Sequence, residues 1–183
     1  MSNWEQRFKD YINEHRVEEV FDGSGEKFDF RGPFGMANKG NSKVYLVNYE
    51  DEAGAEQETR VEFFETNDPN IYEAAFRSTE PKGDASPYEE RTRSGKAIQL
   101  LNTVVDIIKD FSDRNPQLEA LVYQAEQKRL NIYAPMFKFI ENRGEIFPGW
   151  ESGTHFNLSP TRKIHYIKEP GKDLSQIDPQ TLL

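Results

Sequence analysis

Arg91-Thr92-Arg93-Ser94-Gly95-Lys96-Ala97 is the most informative stretch of this chain. Directly after it, Ala97, Leu101, Val104, Val105, Ile108 and Phe111 recur on one face at helical spacing. They predict a helix over roughly Gly95–Phe111, which Asn115-Pro116 ends. A helix that opens on small residues lets a ligand come close to its backbone. Its first amides have no partner inside the helix, and the helix dipole adds to their pull on an anion. Arg91, Arg93 and Lys96 bring three positive charges to the same place. The segment is therefore a candidate diphosphate site, and its plain alternative is a solvated basic turn. It is a poor P-loop, because Glu90 stands where that loop needs glycine and Ala97 where it needs Ser or Thr. A dinucleotide fold fits poorly too, since no G-x-G-x-x-G follows a strand.

Upstream lies a polar stretch, 79–94, with Pro81, Gly83 and Pro87, which reads as a long loop. Before it come three strand signals with no helix between them, at Lys43–Tyr49, Glu58–Glu65 and Asn70–Arg77. The turn at 51–56 joins the first two, so an antiparallel meander is expected. A further strand is expected at Lys27–Arg31, inside the glycine-rich stretch 22–43. Trp4, Phe8, Tyr11 and Ile12 predict a helix over 3–21 that packs on the same domain. Downstream, Leu118–Ala125 reads as a buried strand. Lys128–Asn142 reads as a helix with Ile132, Met136, Phe139 and Ile140 on one side and Pro135 near its start. Thr154–Leu158 and Lys163–Lys168 read as a closing hairpin, and 171–183 as an extended or disordered tail.

A strand–helix–strand unit implies a parallel pair with a right-handed crossover. The segments 71–77 and 118–125 are the expected pair, splaying apart near the basic loop. The expected fold class is α/β (α+β): a mixed, mostly antiparallel sheet of six to seven strands, a central splayed parallel pair and three to four helices. The whole is expected as one domain over 1–170.

Composition narrows the function. The 183 residues suit one domain. A hydrophobic fraction of 36% is lean, but thirteen Phe, eight Tyr and two Trp bury large areas per residue. The net charge of -9 disfavours non-specific nucleic-acid binding. There is no Cys, which removes disulfides, zinc thiolates and a cysteine nucleophile. The N-terminus does not read as a signal peptide and no apolar run reaches the length of a membrane helix, so a cytoplasmic location is expected. His15, His155 and His165 form no close ligand pair, although the last two could meet across the closing hairpin. No metal site is expected.

From about Lys43 to Lys168 the order of elements resembles the GCN5-related N-acetyltransferase superfamily, the acyl-CoA N-acyltransferase fold. Gly95-Lys96-Ala97 is similar to the end of that family's diphosphate loop, and Thr92 stands where the family has Gln or Arg. The resemblance implies acetyl-CoA, or another acyl-CoA, as cofactor, held by Arg91, Arg93, Ser94, Gly95, Lys96 and Ala97. It also implies a strand followed by a helix bearing a Tyr near the cofactor sulfur, a position that Tyr133 matches. Tyr133 is then the acid that protonates the leaving thiolate. The general base is expected among the strand carboxylates Glu73, Glu62 and Glu65, with Glu73 preferred. This chain departs from the family at Glu126, where an Asn is common, and at Phe137 and Lys138, where Gly-Phe is common. Its acidic, elaborated character also resembles bacteriophage proteins of this fold. Two functions follow: N-acetyl transfer to a small-molecule or protein amine, or a degenerate fold serving as a phage virion or host-interaction protein.

Overall fold

The computed structural model describes residues 25–36, 40–50, 54–78, 97–126, 140, 146–157, 162–178 and 182. Its strands are β1 (Phe30–Gly35), β2 (Lys43–Glu50), β3 (Glu56–Glu65), β4 (Ile71–Ser78), β5 (Ala120–Glu126), β6 (Glu151–Asn157) and β7 (Arg162–Lys168), with helix α1 (Ala97–Arg114) between β4 and β5. They form one seven-stranded sheet in the order β1-β2-β3-β4-β5-β7-β6. β2, β3 and β4 make the expected meander, β1 extends it at the edge, and β5, β7 and β6 pair antiparallel on the other side. Between them, β4 and β5 run parallel. This is a mixed, mostly antiparallel sheet with a central parallel pair, as expected of the α/β class. The predicted helices at 3–21 and 128–142 and the loop 79–94 lie outside the described residues, apart from Ile140, which is helical and buried.

Strand alternation divides the apolar residues between the two faces. On one face Tyr45, Val47, Val61, Phe63, Tyr72 and Leu121 meet Val104, Ile107, Ile108 and Phe111 of α1. Aromatic stacking organises that interface. Phe111 lies flat on Phe63 with ring centroids 3.9 Å apart, and Tyr72 meets Phe111 edge-on at 5.1 Å. A polar contact fixes the helix from the side: the Tyr45 hydroxyl donates to Asp110 at 2.9 Å, and Arg114 Nε donates to the same carboxylate at 2.7 Å. Burial and the neighbouring Asp110 charge push the Tyr45 phenol well above its ordinary range, so it remains a donor. Asn115 then ends the helix as expected. Its Nδ2 donates to the Phe111 carbonyl at 2.6 Å, and Pro116 follows.

One strand differs from expectation. Lys27–Asp29 does not join the sheet, which begins at Phe30. The reason is local: the Phe28 amide donates to Thr103 Oγ1 at 2.9 Å, and Gln99 Nε2 donates to the Lys27 carbonyl. The backbone that would have made a ladder is taken by side chains of α1. Pro33 is accommodated because β1 is an edge strand and its register shifts between Arg31 and Phe34.

The opposite face carries a second apolar cluster of Ile71, Ala120, Val122 and Ile164, covered by Leu174 and Ile177. The segment after β7 has no regular secondary structure over 172–178 and packs on this face through Leu174 and Ile177. Leu174 and Ile177 are apolar side chains that the sheet face shields from water.

Candidate active site

The parallel ladder is short. It pairs Ile71 with Ala120, Tyr72 with Leu121 and Glu73 with Val122, and goes no further. Both strands continue beyond it. β4 stays paired to β3 as far as Ser78, and β5 to β7 as far as Glu126. Each keeps its outer neighbour while the pairing between the two stops at Glu73, which leaves a gap in the sheet beyond that residue. The first residues of β4 beyond the parallel ladder are Ala74 and Ala75, both still paired to β3.

α1 runs back over the sheet, antiparallel to β4. The contact between Tyr72 and Phe111 places the end of the helix over the start of β4. The beginning of the helix, Ala97, therefore lies toward the splayed ends of β4 and β5, as a helix joining two parallel strands must. The first turn of α1 contains no acidic residue. Of the loop residues read from the sequence, Ala97 is the first residue of α1, whereas Arg91, Arg93, Ser94, Gly95 and Lys96 lie outside the described residues, as does Tyr133.

The carboxylates separate cleanly. Glu65 accepts from Asn41 Nδ2 at 2.9 Å and from the Asn41 amide at 3.2 Å, which ties it to the β1–β2 turn. Glu62 and Glu73 are buried, at 5% and 3% exposure, and both point to the face away from α1. Glu73 lies directly across from Phe64, and Glu62 across from Ala75. The two acids are thus diagonal neighbours on adjacent strands. Across the sheet at the level of Glu73 run Phe64, Glu73, Val122, Tyr166 and Gly153, all on that face. A side chain at Gly153 would collide with the Tyr166 hydroxyl at 2.7 Å, so glycine makes room for the Tyr166 ring.

The two strand histidines do not meet. His165 stands opposite Thr154, and the pairing shifts at the position of His155. His165 Nδ1 and Thr154 Oγ1 share one hydrogen bond at 3.2 Å, and the imidazole stacks on Tyr123 at 5.1 Å. Its Nε2 is buried with no hydrogen-bond partner among the described residues. Burial, aided by the Lys163 charge, lowers the His165 pKa from 6.5, so the folded protein holds this ring neutral. The unfolded chain takes up the proton as pH falls through about 6.5, and the folded chain takes it up only at lower pH. Stability should therefore decline with falling pH between those two values and level off below them. His165→Gln should remove that part of the pH slope in urea titrations at successive pH values. An unchanged slope would assign the pH dependence to other groups.

Sequence reading did not identify the Thr154–His165–Tyr123 row or the packing of 172–178. Both depend on the register between β5, β7 and β6, which no local pattern encodes. Among the described residues no group of three or more His, Asp and Glu is placed to hold a metal ion, and no helix is long and apolar enough to cross a membrane.

No protein-family model and no curated protein matches the chain. Several solved structures do. A mutant of the spermidine N-acetyltransferase SpeG from Vibrio cholerae is 12% identical with a TM-score of 0.38, covering 89% of this chain and 74% of that one. A structure from work on mutant forms of the spermidine/spermine N-acetyltransferase SpeG from the same organism is 11% identical with a TM-score of 0.37, over 90% and 76%. The dodecameric spermidine N-acetyltransferase in an intermediate state is 12% identical with a TM-score of 0.37, over 90% and 74%.

Proposed function

We propose that this chain is an acyl-CoA-dependent N-acyltransferase that moves an acetyl group onto an amine. The observation that carries the reading is the end of the parallel β4–β5 ladder at a buried carboxylate, Glu73. The arrangement fits acetyl-CoA in three respects. The first turn of α1 is free of acids and follows a basic, glycine-containing loop, which suits a diphosphate. The Ala74–Ala75 edge offers backbone donors and acceptors to an amide-bearing arm. Glu73, in the last pair of the parallel ladder, is the candidate for the reacting end of that arm.

Arg91, Arg93, Ser94, Gly95, Lys96 and Ala97 would hold the diphosphate. The cofactor supplies an acyl group activated as a thioester. Glu73 removes a proton from the acceptor ammonium, so that the nitrogen lone pair can form the new C–N bond. Tyr133 would give its proton to the sulfur as the C–S bond breaks and recover one from the nitrogen, which sheds its second proton as the amide forms. The buried carboxylates Glu62 and Glu73 favour a cationic amine as acceptor.

A ligand that binds only the folded state raises stability by about 2.7 kcal/mol at a hundredfold excess over its dissociation constant. Acetyl-CoA should therefore raise the melting temperature by several degrees. Replacing Arg91, Arg93 and Lys96 together by Ala should remove most of the rise without lowering the melting temperature of the free protein. Absence of any shift at millimolar acetyl-CoA would favour the second reading, a non-catalytic interaction protein.

A further inference from the structure

The sheet consists of two antiparallel halves, β1–β4 and β5–β7–β6, and they meet only where β4 lies beside β5. That joint is the weakest line in the sheet. Among the described residues its ladder has three pairs, against eight between β2 and β3. Parallel pairing is also slightly less stable per residue than antiparallel pairing. No tight turn closes the joint, because α1 and the rest of the crossover lie between its two strands. On one face α1 spans it, packing in one cluster with Phe63 and Tyr72 of the first half and Leu121 of the second.

On the other face the segment after β7 spans it. The Glu169 amide donates to the Glu119 carbonyl at 2.9 Å, which keeps the segment beside the start of β5. Lys172 Nζ then pairs with Asp68 of the β3–β4 turn at 3.0 Å and with Glu119, so one ammonium joins an acid from each half. Asn67, in the same turn, makes a two-point clasp. Its Nδ2 donates to the Gln176 carbonyl at 2.8 Å, and its Oδ1 accepts from the Asp178 amide at 3.2 Å. Leu174 and Ile177 share an apolar cluster with Ile71 of β4 and with Ala120, Val122 and Ile164 of β5 and β7. Ion pairs, hydrogen bonds and apolar contacts thus all cross the joint, and all at its closed end.

We propose that residues 169–178 are a clamp on this joint, which locks the two half-sheets together at the closed end of the β4–β5 pair, on the face away from α1. With the clamp in place the halves open only together. Without it the joint opens by itself while each half stays folded. The clamp is independent of what the protein binds and stands whether or not the chain transfers acyl groups.

The test is amide hydrogen exchange followed residue by residue by NMR in the full chain. The variant is Asn67→Ala with Lys172→Met, which cuts the clasp and the ion pairs and keeps Leu174 and Ile177. Local opening speeds exchange only at the amides it exposes, whereas global destabilisation speeds it everywhere. The Glu119 amide donates across the joint to the Asn70 carbonyl at 2.9 Å. It and the joint-facing amides of 71–73 and 120–122 should exchange roughly tenfold faster, with Val61 and Phe63 of the β2–β3 ladder within about twofold of the parent. Lys109→Met removes an ion pair with Asp113 on α1, away from the joint, and should leave the joint amides unchanged. A uniform acceleration across both ladders would overturn the clamp, and so would unchanged exchange at Glu119. Should the double variant not fold, Asn67→Ala alone should give a smaller rise confined to the same amides, and a rise spread over β2 and β3 would overturn the proposal equally.

Discussion

Glu73→Gln should lower turnover by roughly 10²–10⁴-fold, the usual loss when a general base is removed. The amide keeps the volume of the carboxylate and can still accept a hydrogen bond, so the packing against Val122 and Phe64 changes little. It cannot take a proton from an ammonium at neutral pH. The interaction lost belongs mainly to the transition state, so kcat and kcat/KM should fall together while the acetyl-CoA affinity holds. Glu62→Gln is the control. Glu62 is equally buried on the same face but lies across from Ala75, one step along the gap. If Glu73 is the base, the loss at Glu62 should be much smaller. Equal losses at both positions would mean that the two acids act as a unit. Retention of full turnover by Glu73→Gln would remove it from the mechanism.

The sheet was legible in the sequence because its signals are local. Val44 to Val47, Val61 to Phe64 and Ile71 to Phe76 each announce a strand, and the uninterrupted series announces a meander. The parallel pair followed from chain order alone, since a helix between two strands demands a crossover. The division of the acids between faces was half legible. Alternation set Glu62 opposite Phe63, but only the position of α1 decides which face is which. What stayed hidden depends on long-range register. Lys27–Asp29 has strand-like residues, yet Thr103 and Gln99 capture its backbone from a helix more than seventy positions away. Leu174 and Ile177 are two apolar residues in a polar stretch, too sparse to signal packing. Their anchors Asn67 and Asp68 sit in the β3–β4 turn, where such residues need no further explanation, and Glu119 stands just before β5.

Phe111→Ala should be the most destabilising single change among the residues of α1. Phe111 is fully buried, stacked on Phe63 and met edge-on by Tyr72. Truncation removes both ring contacts and leaves a void that the facing strands, fixed in a continuous ladder, cannot close. The cost should be about 3–5 kcal/mol, a large part of the roughly 5–15 kcal/mol that holds a domain of this size together. At roughly 2–4 °C per kcal/mol the melting temperature should fall by at least 6 °C. Phe111→Leu should cost clearly less, because it refills most of the volume. The position also tests how the helix works. Phe111 lies about 21 Å along the helix from Ala97, at a rise of about 1.5 Å per residue. If α1 acts as a rigid carrier for the loop at its start, the folded fraction of Phe111→Ala should bind acetyl-CoA as the parent does. The variant should then show a lowered melting temperature and an undiminished ligand shift. A lost ligand shift in a folded variant would mean that seating the far end of α1 on Phe63 is what aims its first turn at the gap between β4 and β5.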